Sequence, residues 1–140
     1  MTRRVELPPA LAAAIHAAAD AAFPNECCGL LEGTREGAVL RVTTLHPARN
    51  LSDQPDRFQI DPADHFKAQK AARANGRRII GCYHSHPHSA AQPSAVDLAG
   101  AEQNDFLWLI AGAGALNAFV YLDGGFRGCV TGADWVTSSE

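Results

Sequence analysis

The stretch RRIIGCYHSHPHSAAQPSAVD, residues 77–97, sets the architecture of the middle of the chain. Ile79 and Ile80, followed by Gly81, Cys82 and Tyr83, form a short apolar run that predicts a buried strand over Arg78–His84. Pro87 and Pro93 punctuate a loop behind it. Ser94 then opens a helix expected to run to about Gln103, since Ser94-x-x-Asp97 puts a capping side chain and an acid at a helix start.

Working outward, Asp61-Pro62 reads as an N-cap and first helical residue, with a helix to about Asn75 stopped by Gly76. Phe58–Ile60 reads as a short strand, and His46–Arg57 has loop chemistry in Pro47, Asn50, Asp53 and Pro55. Ala38–Leu45 alternates in the manner of a half-buried strand, and Cys27–Glu32 is an apolar strand ended by Gly33. Pro9 opens a helix over Ala10–Ala22, and Val5–Leu7 is a short edge strand. Downstream, strands are expected over Leu107–Ala111, Ala118–Leu122 and Phe126–Val130. Asp123-Gly124 predicts that the last two pair as an antiparallel hairpin. Strands and helices intermixed with hairpins predict one α/β domain over residues 1–140, a mixed β-sheet with flanking helices. The tail after about Gly132 is expected to fray.

Composition excludes several classes. With 140 residues, the chain buries roughly two-thirds of its unfolded surface, enough for a core without staples. Apolar residues at 46% and charged residues at 19% exclude a disordered chain. A net charge of −3 gives no basic field for nucleic acid. No apolar run reaches the roughly 18 residues of a membrane span. Glu6, Pro8-Pro9, His16 and Asp20 interrupt any signal-peptide core, so a cytoplasmic location is expected. The cysteines, Cys27, Cys28, Cys82 and Cys129, lack C-x-x-C spacing and read as small buried hydrophobes. A disulfide among them is not assignable from spacing.

His84 and His86 project to one face of an extended segment, so two imidazoles can converge on one metal. Asp97, across the proline-rich loop, can fold back as a third, harder ligand. Two His and one Asp would leave a fourth tetrahedral position open, the arrangement of a catalytic zinc. On spacing alone the competing reading stands beside it: H-x-H arises by chance, and Asp97 is what a helix start wants anyway. Glu26 has two readings as well. It is a base among Phe23, Cys27, Cys28 and Leu30 with a pKa raised by burial, or a strand-end carboxylate facing water.

Taken together, Glu26, His84-Ser85-His86-Pro87, Pro93-Ser94 and Asp97 resemble the E…H-S-H-P-x(6)-S-x-x-D signature of the JAMM (MPN-plus) zinc metalloproteases. Asn25–Leu31, the Asn50 loop and Phe58-x-Ile60-Asp61-Pro62 resemble the short prokaryotic branch. The resemblance implies a cytidine-deaminase-like α/β fold and one zinc per chain held by His84, His86 and Asp97. Glu26 is implied as the general base that takes a proton from zinc-bound water and passes it to the leaving amine. Ser94 is implied as the hydroxyl donor to the oxyanion. Cys82 shares the histidines' face and reads as packing near the site. His88, in the loop over the site, is read as meeting either substrate or water, with water favoured. Tyr83 is expected to pack on the opposite face, and Trp108 and Trp135 to pack.

The implied reaction is hydrolysis of a peptide or isopeptide bond after the C-terminal Gly-Gly of a small ubiquitin-like or sulfur-carrier protein. The released group would be an amino acid such as cysteine, or a modified target. The alternatives are an isopeptidase freeing lysine from a ubiquitin-like modifier, a non-catalytic zinc-stabilised scaffold, and a cysteine hydrolase using Cys82, Cys27 or Cys28. The expected partner is the carrier protein, without nucleic acid or membrane, and a homodimer is left open.

Overall fold

The computed structural model describes residues 2–131, so Trp135 and the tail expected to fray lie outside the described residues. The elements run β1 (Arg4–Glu6), α1 (Pro9–Ala22), β2 (Cys28–Glu36), β3 (Val39–Ala48), α2 (Pro62–Ala74), β4 (Arg78–His86), α3 (Ala95–Gly100), β5 (Phe106–Gly112), β6 (Ala115–Leu122), β7 (Gly125–Gly128) and β8 (Val130–Thr131). They build one sheet in the order β7-β6-β5-β4-β2-β3-β1-β8. The predicted mixed α/β architecture holds: β4, at the centre, runs antiparallel to β2 and parallel to β5. The parallel β4–β5 pair needs a crossover, and α3 lies in it.

Adjacent residues of the central strands serve opposite faces, as a period of two dictates. Leu31 and Tyr83 join Val5, Leu7 and Ile15 of α1 in one core. Leu30 and Cys82 join Ala68 of α2 and Trp108 in a second core on the other face, flanked by Phe58 and Ile60. Tyr83 therefore packs opposite His84, as expected. All four cysteines are free, and Cys27, Cys28 and Cys82 are buried.

Several boundaries differ from the sequence reading. Gly33 does not end β2; both ladders shift register beside Glu32, and the strand continues through this bulge to Glu36. A Cβ at Gly33 would run into the Arg41 carbonyl, which explains a glycine inside a strand. Phe58–Ile60 is no strand but a single antiparallel bridge between Ile60 and Asn50. The helix from Ser94 ends at Gly100 because Ala101 turns extended, at φ −82° and ψ 132°, and buries its methyl in the second core.

The last strand is split. Asp123 and Gly124, at φ 51° and 84°, form the predicted tight turn, and β7 pairs antiparallel with β6. After Cys129, whose N–H donates to the Ala118 carbonyl at 2.9 Å, the chain leaves that pairing. Val130 N–H donates to the Arg3 carbonyl at 2.8 Å, and β8 runs parallel to β1. One segment thus supplies both end strands of the sheet, β7 beside β6 and β8 beside β1. Among the described residues no helix is long and apolar enough to cross a membrane.

Candidate active site

The end of β4 carries His84 and His86 to the α2 side of the sheet. There Cys28, the first residue of β2, lies opposite His84. The loop over residues 87–93 folds back so that the first turn of α3 meets them. A capping box makes that turn rigid: Ser94 Oγ accepts from Asp97 N–H at 3.0 Å, and Ser94 N–H donates to Asp97 Oδ2 at 3.0 Å. Asp97 thus caps its helix and still turns Oδ2 inward, so the two readings of this residue are compatible.

His84 Nε2 and His86 Nε2 stand 3.0 Å apart, and Asp97 Oδ2 lies 3.1 Å and 3.0 Å from them. Ligand atoms of a tetrahedral ion bound at about 2.0–2.1 Å stand about 3.3–3.4 Å apart. The three atoms therefore already form the face of such a tetrahedron, closed in by a few tenths of an ångström. The chemistry of the set agrees. His86 Nδ1 lies 2.9 Å from the Ala90 carbonyl, so Nδ1 carries the proton and the Nε2 lone pair faces the cluster. Burial pushes the His84 pKa down, more than Asp97 restores, which favours the neutral ring. For Asp97, burial works upward, but hydrogen bonds to His84 and His86 outweigh it and hold the carboxyl below its ordinary range. For His86, burial works downward and is outweighed by Asp97 and the Ala90 carbonyl, so its pKa rises.

Glu26, in the link between α1 and β2, is 3% exposed. One ligand atom each of Glu26, His84 and His86 lie within 4.8 Å of one another, and Glu26 Oε1 is buried without a hydrogen-bond partner. Burial raises its pKa to about 7; the charges of His86 and Arg57 oppose the rise, and those of Asp97 and Asp56 add to it. At 3% exposure Glu26 does not face water as a strand-end carboxylate would. Two triads could hold a metal, His84-His86-Asp97 and His84-His86-Glu26, and the shorter distances belong to the first. Both contain a carboxylate and two imidazoles, a donor set suited to zinc.

Walls and rim complete the site. Phe58 stacks on His84, ring centroids 4.4 Å apart, and Trp108 meets the same ring edge-on at 5.7 Å. A cavity of about 270 Å³, lined by Leu30, Phe58, Ile60, Cys82 and Trp108, opens beside Asp97. Cys82 sits in its wall, its thiol pushed well up by burial, which makes it packing near the site. A second cavity, of about 150 Å³, lies beside His86 between Phe23, Pro87 and Gly112. His88 does not simply meet water: its Nε2 lies 3.1 Å from the Pro24 carbonyl and its ring 5.5 Å from that of Phe23. Sequence reasoning missed the task of Ser85, whose Oγ accepts from Cys27 N–H at 2.9 Å and so ties the Glu26 segment to the histidine strand. The only local sign of it was a serine between two histidines.

Known proteins are similar to this chain in sequence and fold. Residues 8–121 match the family model described as prokaryotic homologs of the JAB domain. The chain is 34% identical over 88 residues to the desampylase of Haloferax volcanii, covering 62% of each protein. It is 32% identical over 102 residues to a Thermus thermophilus protein named "Probable TtuB-protein conjugate cleaving protease", covering 72% of this chain and 65% of that one. The chain spans 62% of the length of the Haloferax relative and 58% of the Pyrococcus furiosus desampylase. Protein DSY2949 of Desulfitobacterium hafniense superimposes with a TM-score of 0.83 at 32% identity, covering 91% of this chain and 90% of that one. The JAB1/MPN domain protein AF2198 of Archaeoglobus fulgidus shares the fold, with a TM-score of 0.55 at 18% identity, covering 94% of this chain and 97% of that one. Matched from residue 8 to residue 121, the chain belongs to the prokaryotic JAB-domain (JAB/MPN) family.

Proposed function

We propose that this protein is a zinc metallopeptidase that cuts the peptide or isopeptide bond after the C-terminal Gly-Gly of a small ubiquitin-like or sulfur-carrier protein. The observation that carries this reading is the triangle of His84 Nε2, His86 Nε2 and Asp97 Oδ2, with sides of 3.0–3.1 Å, beside the buried Glu26 carboxyl. These three residues would hold one zinc per chain, which when bound would act as a Lewis acid toward the scissile carbonyl and lower the pKa of water to about 7. Glu26 takes a proton from the attacking water and hands it to the leaving nitrogen. A carboxyl with a pKa near 7 can accept and release protons near neutrality. Ser94 Oγ accepts from Asp97 N–H, so its own hydrogen is free to donate to the carbonyl oxygen as that atom gains charge.

The Thermus relative, named for cleaving TtuB–protein conjugates, favours a protein conjugate as substrate over a carrier bearing a single amino acid. Release of a free amino acid such as cysteine stands as the second form of the same reaction. A small modifier is the partner in both.

The test pairs metal analysis with turnover of carrier proteins extended past Gly-Gly by a peptide, by a lysine side chain or by cysteine. The reading predicts cleavage after the second glycine, lost in Glu26→Gln while its zinc is retained. Full activity in Glu26→Gln would overturn the base assignment. Retained zinc without cleavage of any conjugate would favour the scaffold.

A further inference from the structure

We propose that Asn50 is a positioning residue for Glu26: its side-chain amide fixes the backbone from which the carboxyl hangs. The inference rests on Glu26 acting as the base. Glu26 lies outside every strand, in the link between α1 and β2. On one side this link is tied to β4, by Cys27 N–H to Ser85 Oγ at 2.9 Å and Ser85 N–H to the Cys27 carbonyl at 3.3 Å. On the other side the Glu26 carbonyl accepts from Asn50 Nδ2 at 3.0 Å. The buried Glu26 Oε1 has no hydrogen-bond partner, so these backbone ties are the polar contacts that anchor the residue.

Asn50 is built to be rigid. Its Oδ1 accepts from Ser52 N–H and Gln59 N–H, both at 2.9 Å, and its Nδ2 also reaches the Arg57 carbonyl at 3.4 Å. A side-chain amide offers two donor hydrogens and two lone pairs, and all four are engaged. Its backbone is pinned as well: Asn50 bridges Ile60, and Leu51 N–H donates to the Gln59 carbonyl at 2.8 Å. The bonds to Ser52, Gln59 and Arg57 all fall within the loop over residues 51–59. The bond to Glu26 reaches a segment 24 residues away and serves no part of that loop. A base displaced by about 1 Å loses on the order of 100-fold in rate, so this strut bears on turnover and not on metal affinity.

Asn50→Asp separates the two jobs, since it keeps an Oδ1 for Ser52 and Gln59 and sets an oxygen against the carbonyls of Glu26 and Arg57. In metal-free protein, amide exchange at Cys27 should quicken about tenfold while Ser52 and Gln59 stay protected. With zinc restored, and with a Gly-Gly carrier fused to a fluorogenic amine as probe, kcat should fall by about tenfold or more, with KM and zinc content unchanged. Unchanged Cys27 exchange, or wild-type kcat where Glu26→Gln has lost turnover, overturns the strut and leaves the base intact. Loss of zinc, or rapid exchange at Ser52 and Gln59, makes Asn50 a general folding residue and overturns it too. Wild-type turnover in Glu26→Gln removes the base itself, and the strut with it.

Discussion

Ser94 and Asp97 hold each other from both directions: the Ser94 hydroxyl receives the Asp97 amide, and the Ser94 amide is given to Asp97 Oδ2, each at 3.0 Å. The same Oδ2 faces His84 and His86. Helix capping and the inward aim of the carboxylate are therefore one structural event. Removing the hydroxyl takes away the cap but leaves the amide that holds Oδ2.

Ser94→Ala should accordingly keep its zinc. Its kcat should fall about 10²-fold through loss of an oxyanion donor, and its stability by about 1 kcal/mol through loss of the cap. Metal analysis, turnover and denaturant unfolding check the three parts separately. An undiminished rate would remove Ser94 from the chemistry.

Asp97→Asn and His84→Ala should each bind zinc far more weakly, because each takes one corner from the triangle. Competition against a chromogenic chelator measures this, and the expected loss is at least tenfold by analogy with the 10–100-fold cost of losing even an outer-shell partner. Glu26→Gln should bind zinc nearly as the parent does. If Glu26→Gln lost the metal and Asp97→Asn kept it, the His84-His86-Glu26 triad would be the ligand set.

Glu32 is fully buried and bonded to His46 at 2.8 Å, Arg77 at 2.9 Å and Asn75 at 3.1 Å, which joins β2 and β3 to the corner between α2 and β4. Burial pushes its pKa up, but these three bonds outweigh it and hold the carboxyl below its ordinary value of 4.5. A carboxyl with a lowered folded pKa stabilises the fold above the unfolded value, and that contribution fades as pH falls through the folded value. The protein should lose stability on acidification below about pH 5. Glu32→Gln should be less stable at pH 7 and lose less on acidification. Urea unfolding at pH 7 and pH 4 tests this; parallel losses in both proteins would show that Glu32 does not contribute.

How far the sequence reached follows from the range of each signal. The strand at β4, the Asp61-Pro62 and Ser94 caps and the Asp123-Gly124 turn are written in neighbouring residues, and they stand where expected. His84, His86 and Asp97 converge because a period of two and one short loop suffice. Distant contacts were illegible. Val130 looks locally like a continuation of Phe126, and only β1, at the other end of the chain, draws it away. Glu32 looked like the end of a strand, since Asn75 and Arg77, which make its burial tolerable, lie 43 and 45 residues on. Asn50 reads as part of a loop that resembles the family, but its contact is hidden because its partner carbonyl, that of Glu26, lies 24 residues back.

The cysteine-hydrolase alternative predicts sensitivity to alkylation. Burial pushes the Cys28 thiol up to about 12, with Cys27 and Glu26 adding to the rise, and lifts the Cys82 thiol well above its ordinary value. Such thiols are not nucleophiles at neutral pH. Folded protein treated with iodoacetamide should keep its activity, and a chelator should abolish it. The reverse pattern would replace zinc chemistry with thiol chemistry.

The most direct measurement is the zinc content of untagged protein purified without added metal, before and after chelation and reconstitution. The account predicts about one zinc per chain, removed by chelator and restored by zinc with activity. Protein that carries no zinc and takes up none on reconstitution would contradict it, and His84, His86 and Asp97 would then be a buried hydrogen-bond cluster without a metal.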